Sequence, residues 1–333
     1  MKELIKKLTE AYGPSGREEQ IREVIKGEIE GVADEMKVDA MGSLIALKRG
    51  SGEGLKVMLA AHMDEIGIIA THVDEKGFIR FASVGSVNPL TLLGGRVVFA
   101  DGTVGTIGLE KREPEEEKKI PSLDKLYLDV GAKDKETAPV RVGDIACFQR
   151  PFVALGDRLL AKAFDDRIGC AVLIQVMRDL KTSPHDVYFV FSVQEELGLR
   201  GAITSAYGIQ PNLGVSVDVT GTGDTPEARP MAVSLGEGPA IKVKDGGMLA
   251  HPAVKNLLVE TAEQVGIPYQ LEVLERGTTD ATAIQISREG VPAGCVSIPC
   301  RYIHTPSEMV DHNDVLNATR LLVALLSRPI ELG

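Results

Sequence analysis

Five places in the chain put imidazoles or carboxylates where an apolar run ends or a helix begins. The run 56–61 ends at His62-Met63-Asp64, and the run 187–193 ends at Gln194-Glu195-Glu196. The run 213–217 ends at Asp218, the run 293–298 leads to Tyr302-Ile303-His304, and a helical segment opens at Asp165-Asp166. Imidazole nitrogen and carboxylate oxygen are donors for borderline divalent ions such as zinc or cobalt. Two His and three carboxylates suit a two-metal site, in which one group bridges the ions. Three carboxylates leave one positive charge on two divalent ions, which favours a deprotonated water, the nucleophile of a hydrolase. Of the adjacent Glu195 and Glu196, one can bind metal while the other faces the water, because neighbours in extended chain point opposite ways. A general base must not itself be a ligand. Asp64 lies two residues after His62 and can accept its ring N–H, which fixes the tautomer.

These positions need a frame that brings strand ends together. Segments 56–61, 186–193, 213–217, 270–274 and 293–298 read as strands, and 165–180, 201–207, 252–265, 279–288 and 315–327 as helices. That alternation implies an α/β fold: a mostly parallel mixed sheet with helices on both faces, binding ligands at the carboxyl ends of its strands. Near the N-terminus, Leu4, Ile5 and Leu8 recur at helical spacing, and Ser15 with Glu18 reads as a capping box opening a second helix along Ile21, Val24, Ile25 and Ile29. From 66 to 160 the texture changes to short β segments with turn signals at Lys76-Gly77 and Asp101-Gly102. The expected division is a discontinuous catalytic domain, 1–65 and 161–333, interrupted by a small β-barrel-like domain at 66–160. The charged run 113–119 reads as an exposed loop.

Composition narrows the function classes. With 44% apolar and 26% charged residues the chain is globular, and its net charge of −11 argues against nucleic acid or an anionic membrane as partner. No window approaches the roughly 20 apolar residues of a membrane span. The N-terminus lacks an apolar leader, and the four cysteines show no C-x-x-C spacing, so a reducing cytoplasm is the expected compartment.

The segments AAHMDEIG, AFDDRIGC, VQEELGLRGA, VDVT, GTTDATAI and RYIHTPSE resemble, in order along nearly the whole chain, the glutamyl or deblocking aminopeptidases. These are co-catalytic metallo-aminopeptidases with a zinc-exopeptidase-like fold, often tetrahedral dodecamers called TET peptidases. The resemblance implies His62 and Asp218 on one ion, Glu196 and His304 on the other, Asp165 as bridge, Glu195 as general base and acid, and Asp64 behind His62. It places Thr279 and Asp280 near the substrate and gives the inserted β region to dimerisation and assembly. It implies zinc or cobalt, with manganese also compatible, and peptides with free N-termini as substrates.

Competing readings are specific. Asp166 is an expected helix cap, Thr279-Asp280 can be a plain N-cap pair, and His72, His185, His251 and His312 suit ordinary structural positions. GEGP and DGGM read as turns, and Arg301 and Tyr302 as packing residues. A related two-metal carboxypeptidase or deacylase would use the same residues on a different substrate end. A glycan hydrolase also needs paired carboxylates, but those flank the bond rather than sit adjacent. A non-catalytic assembly protein would have no need of the full set.

Overall fold

The alternation of buried side chains along the central strands sets the architecture. In the computed structural model, which describes residues 1–52, 54–113 and 118–332, strand Lys56–His62 sends Val57, Leu59 and Ala61 into one apolar cluster and Met58 and Ala60 into another. A strand buried on both faces is covered by helices on both. Helices Lys2–Glu10, Glu19–Ile29, Phe164–Asp179, Pro252–Val265 and His312–Leu326 contribute to the first cluster. Helices Arg200–Ile209 and Asp280–Gln285 contribute Ala206, Ile209 and Ile284 to the second.

The central four strands are parallel neighbours: Asp186–Ser192, Lys56–His62, Leu213–Thr220 and Ala293–Arg301. Their carboxyl ends therefore meet along one rim. Antiparallel strands flank them, with Leu44–Lys48 on one side and Glu308–Asp311 on the other. The fold is the expected mixed α/β sheet, parallel at its centre with antiparallel strands on both sides of that centre. Strands 145–148, 153–155, 158–161, 240–244 and 308–311 carry no clear sequence signal and complete the two sheets.

Between Lys56–His62 and Phe164–Asp179 the chain forms a closed six-stranded barrel, from Gly67–Val73 to Ile145–Phe148. It has its own core, including Ile68, Ile79, Val97 and Leu128. Strands Val153–Leu155 and Arg158–Ala161 leave the barrel and join the large sheet through Glu308–Asp311. Residues 114–117 of the charged run lie outside the described residues.

The capping box is a correction. Helix Glu19–Ile29 has no side-chain cap. Ser15 Oγ instead donates to Asp64 Oδ2 at 2.6 Å. Glu18 Oε1 accepts from the backbone N–H of Gly16 at 2.7 Å and of Gln194 at 3.2 Å. The buried Asp64 carboxylate needs donors more than an accessible helix end needs a cap.

Arg167 ties this region together. It is fully buried, and its Nε donates to Met63 O at 2.6 Å. Its Nη atoms donate to the carbonyls of Leu8, Ala11 and Gly13 and to Glu65 Oε1 at 3.2 Å. Lys162 Nζ donates to both Glu65 oxygens, at 2.8 and 2.7 Å. The first helix, the segment after His62 and the helix after Asp165 are thus held by one guanidinium. Arg167→Met should lower unfolding stability by about 3–5 kcal/mol, because it strands several buried acceptors and an anion. Chemical denaturation checks this, and a loss below about 1 kcal/mol would contradict it.

Candidate metal centre

His62 is the last residue of strand Lys56–His62 and is 1% exposed. Asp165 sits where Phe164–Asp179 is not yet helical, with φ −77° and ψ 102°, so its side chain turns toward the sheet rim. One oxygen of Asp165 lies 2.9 Å from His62 Nε2, and the other lies 3.1 Å from His304 Nε2. His304 Nε2 is also 3.3 Å from Glu196 Oε1, and His62 Nε2 is 3.9 Å from Glu195 Oε2. Donor atoms of His62, Asp165 and Glu196 lie within 4.8 Å of one another, as do those of His62, Asp166 and Asp218. All five expected ligands therefore meet at the rim, with Asp165 between the two imidazoles.

Asp166 belongs to the second of these groups, but both its oxygens are engaged. Oδ1 accepts from Gly169 N at 3.0 Å, the expected helix-start role, and Oδ2 accepts from His62 N at 3.2 Å.

Asp64 has two jobs. His62 Nδ1 is 3.1 Å from the backbone carbonyl of Asp64 and 3.5 Å from its carboxylate. The same carboxylate accepts from the backbone N–H of Glu195 at 3.0 Å and of Glu196 at 3.3 Å. It thus sets both the imidazole and the two glutamates. The expected strand alternation of Glu195 and Glu196 is also corrected. Strand Asp186–Ser192 has already ended, and a turn carries the pair, with Gly198 N donating to Glu195 O at 2.8 Å. The turn, anchored on Asp64, sends the side chains toward different histidines.

Glu308 closes the RYIHTPSE segment, but nothing in its local pattern assigns it a role. It is 2% exposed; one oxygen accepts from Asp165 N and the other from His304 N, each at 3.0 Å. It clamps the backbones of two expected ligands that lie far apart in the chain. Arg301, read as a packing residue, anchors the start of the same loop through Asp224, with bonds of 2.9 and 2.7 Å. Glu308→Gln replaces one acceptor oxygen with an N–H group that faces a backbone N–H. It should weaken metal binding roughly 10- to 100-fold, measured by chelator competition. Unchanged affinity would refute the clamp.

Thr279 lines the cavity and caps the helix Asp280–Gln285, accepting from Ala281 N, while its Oγ1 lies 3.1 Å from Ser216 Oγ. Asp280 accepts from Ser192 Oγ at 2.5 Å and is buried below the cluster rather than lining the cavity. His185 is a buried structural residue, its ring bonded to Leu55 N and Arg328 O, and His251 is the N-cap before Pro252.

The electrostatics test whether cations fit. Burial opposes the charge on His304, but hydrogen bonds to Asp165 and Glu196 push its pKa up to about 11. Burial also opposes charge on His62, and its bonds to Asp165 and Asp64 raise it well above the usual imidazole range. Burial would raise Asp165, yet its bonds to His304 and His62 hold it well below an ordinary carboxyl. Glu195 and Asp218 go the other way: burial lifts both well above the carboxylate range, and neighbouring anions add to it. Burial, then the Asp165 charge, also raises Glu196. Two imidazoles do not neutralise this many buried carboxylates, and divalent cations would. The donor set is nitrogen and oxygen only, which suits zinc, cobalt or manganese. The residues fit the group.

The centre opens into a cavity of about 290 Å³ lined by Asp165, Glu195, Glu196, Asp218 and His304 and reaching Lys242 and Thr278. Among the described residues, no helix is long and apolar enough to cross a membrane.

Comparison with known proteins agrees along the whole chain. The family model described as M42 glutamyl aminopeptidase matches residues 42–321. A putative aminopeptidase of Acetivibrio thermocellus is 49% identical over 97% of each chain. The structure of aminopeptidase APDkam598 from the archaeon Desulfurococcus kamchatkensis superposes with a TM-score of 0.93 at 45% identity, covering 98% of this chain and 94% of that one. TET1 peptidase of Pyrococcus horikoshii, described as assembling into a tetrahedron or a large octahedral shell, has a TM-score of 0.88 at 34% identity, covering 97% of this chain and 98% of that one.

Proposed function

This chain belongs to the M42 glutamyl aminopeptidase family, and from that premise we propose how its residues divide the work. It is a metal-dependent aminopeptidase that hydrolyses the N-terminal peptide bond of peptides. His62 and Asp218 would hold one divalent ion and Glu196 and His304 a second, with Asp165 as the carboxylate available to both. The observation that carries this assignment is Asp165 itself, whose two oxygens each face a different imidazole at 2.9 and 3.1 Å. When bound, zinc, cobalt or manganese ions supply Lewis acidity toward the scissile carbonyl and make water more acidic.

The chain does the rest. Glu195 lines the cavity yet, unlike Asp165, Glu196 and Asp218, belongs to neither group of converging donor atoms, and its nearest imidazole is 3.9 Å away, so it is the one free to take the proton of the attacking water and pass it to the leaving amine. Asp64 keeps Glu195 and Glu196 in place through their amides and holds the His62 ring. Asp166 and Glu308 fix the backbones of His62, Asp165 and His304.

Residues 1–65 and 161–333, with the strands Val153–Leu155 and Arg158–Ala161 added to their sheet, form the catalytic domain, and the barrel within 66–160 is the inserted unit through which copies pair and assemble. The TET1 relative's tetrahedral assembly supports dimers building to a dodecamer here. The acidic surface suits peptide substrates and the cytoplasm, without nucleic acid or membrane as partner.

A panel of short peptides tests the reading. Metal-loaded protein should release the first residue from peptides with a free amine and leave N-acetylated ones intact, with two ions per chain by metal analysis. Cleavage confined to blocked N-termini, or release from the carboxyl end, would favour the deacylase or carboxypeptidase alternative and overturn it.

A further inference from the structure

The cavity beside the metal centre has a closed end of unusual composition. Strand Leu213–Thr220 runs two residues past Asp218, and Thr220 lies on the same face as Asp218 by the two-residue repeat. Thr220 Oγ1 donates to Glu272 Oε1 at 2.7 Å. The same oxygen forms an ion pair with Lys242, which sits directly opposite Glu272 in the parallel pairing of their strands. Both ionised side chains are entirely buried. Lys242 and Thr220 line the cavity together with Val219, Leu274 and Ile303. On the other side of Ile303 and His304 lies a cavity of about 590 Å³ lined by Ser83, Ser86 and Asn88, all of them exposed. The smaller cavity, which ends on the buried Thr220 and Lys242, suits a single side chain, and the larger, lined by exposed residues, suits a departing peptide.

On the aminopeptidase reading, we propose that the Lys242–Glu272 pair closes the subsite for the substrate's first side chain and selects an uncharged residue of leucine or methionine size. A substrate carboxylate placed beside Lys242 would be a second anion on a cation that Glu272 already neutralises. A substrate ammonium would be a second cation beside Lys242. Either would surrender its hydration beside a lysine already paired with Glu272, where no free partner of opposite charge lines the wall. Asp245, whose charge also acts on Lys242, is absent from the cavity lining, so it adds to Glu272 in neutralising Lys242 and offers a bound side chain no carboxylate to pair with. Val219, Leu274 and Ile303 supply apolar wall, and apolar contacts of this kind discriminate by about 10- to 200-fold.

The test is kcat/KM of the metal-loaded protein on leucyl, methionyl, glutamyl and lysyl p-nitroanilides. The uncharged pair should exceed both charged substrates by about tenfold or more. Glu272→Gln leaves Lys242 unneutralised and should raise the glutamyl-to-leucyl ratio about tenfold. Lys242→Met leaves Glu272 unneutralised and should raise the lysyl-to-leucyl ratio similarly. A wild-type preference for glutamyl or lysyl substrate, or folded variants that keep the wild-type ratios, overturns the proposal. The wild-type ranking decides the matter even where a variant fails to fold. Failure to cleave any free-amine substrate would strike down the aminopeptidase reading and the subsite with it, whereas activity with a charged preference strikes the subsite alone.

Discussion

Glu195→Gln should hold metal as the wild type does and lose roughly 10²- to 10⁴-fold in kcat, the range for removing a positioned general base. The substitution keeps the side-chain size and removes the ability to take a proton. The backbone N–H of Glu195 stays on Asp64, so the turn and the neighbouring Glu196 keep their places. KM for a free-amine substrate should change little, because the loss is confined to proton transfer. Metal analysis and steady-state kinetics on the same preparation separate the two effects. Turnover within a few-fold of wild type removes Glu195 as the base, and loss of metal in this variant would make it a ligand instead.

Asp165→Asn should do more. An amide presents one oxygen and one N–H group where the carboxylate presents two oxygens, and here each oxygen faces a histidine. The variant cannot serve both sides as an acceptor, so the paired ions should be lost at ordinary metal concentrations. Activity should fall by several kcal/mol of transition-state stabilisation, at least about 10³-fold on the usual conversion. Thermal unfolding gives a second readout independent of turnover. Added zinc or cobalt should raise the Tm of the wild type, since a ligand that binds only the folded state stabilises it. It should raise that of Asp165→Asn far less. Equal metal-dependent shifts in both proteins would show that Asp165 does not bridge.

The chemistry was legible in the sequence to the extent that it sat at the ends of apolar runs. His62, Asp218 and the Glu195-Glu196 pair each stand at the end of a buried apolar run, and the parallel order of the strands brings them to one rim. What supports them was not legible. Asp64 reads as a partner of His62 because it is two residues away, but its bonds to Glu195 and Glu196 span more than a hundred residues of sequence. Ser15 and Glu18 have the spacing of a local cap, and a buried carboxylate and a distant turn claimed them instead. Glu308 lies four residues after His304 in a polar stretch, and only the tertiary fold puts Asp165 N within its reach. Lys242 and Glu272 look like charges on two short amphipathic segments until the strands pair. Local pattern predicts where a side chain leaves the core, not which distant backbone group it meets.

The barrel that separates Lys56–His62 from Asp186–Ser192 also sets a schedule for the nascent chain. The strand bearing His62 is made first, yet its parallel neighbour begins only at Asp186. At about 5–20 residues per second, a ribosome needs roughly 6–25 s to supply that partner. Throughout that interval an apolar strand has neither central neighbour beside it, while the barrel, whose strands pair only with one another, is free to form. His304 is made later still, so the complete ligand set exists only once that residue has been added. Loading of metal therefore waits for His304, and until Asp186–Ser192 is made the unpaired central strand is apolar surface open to wrong contacts.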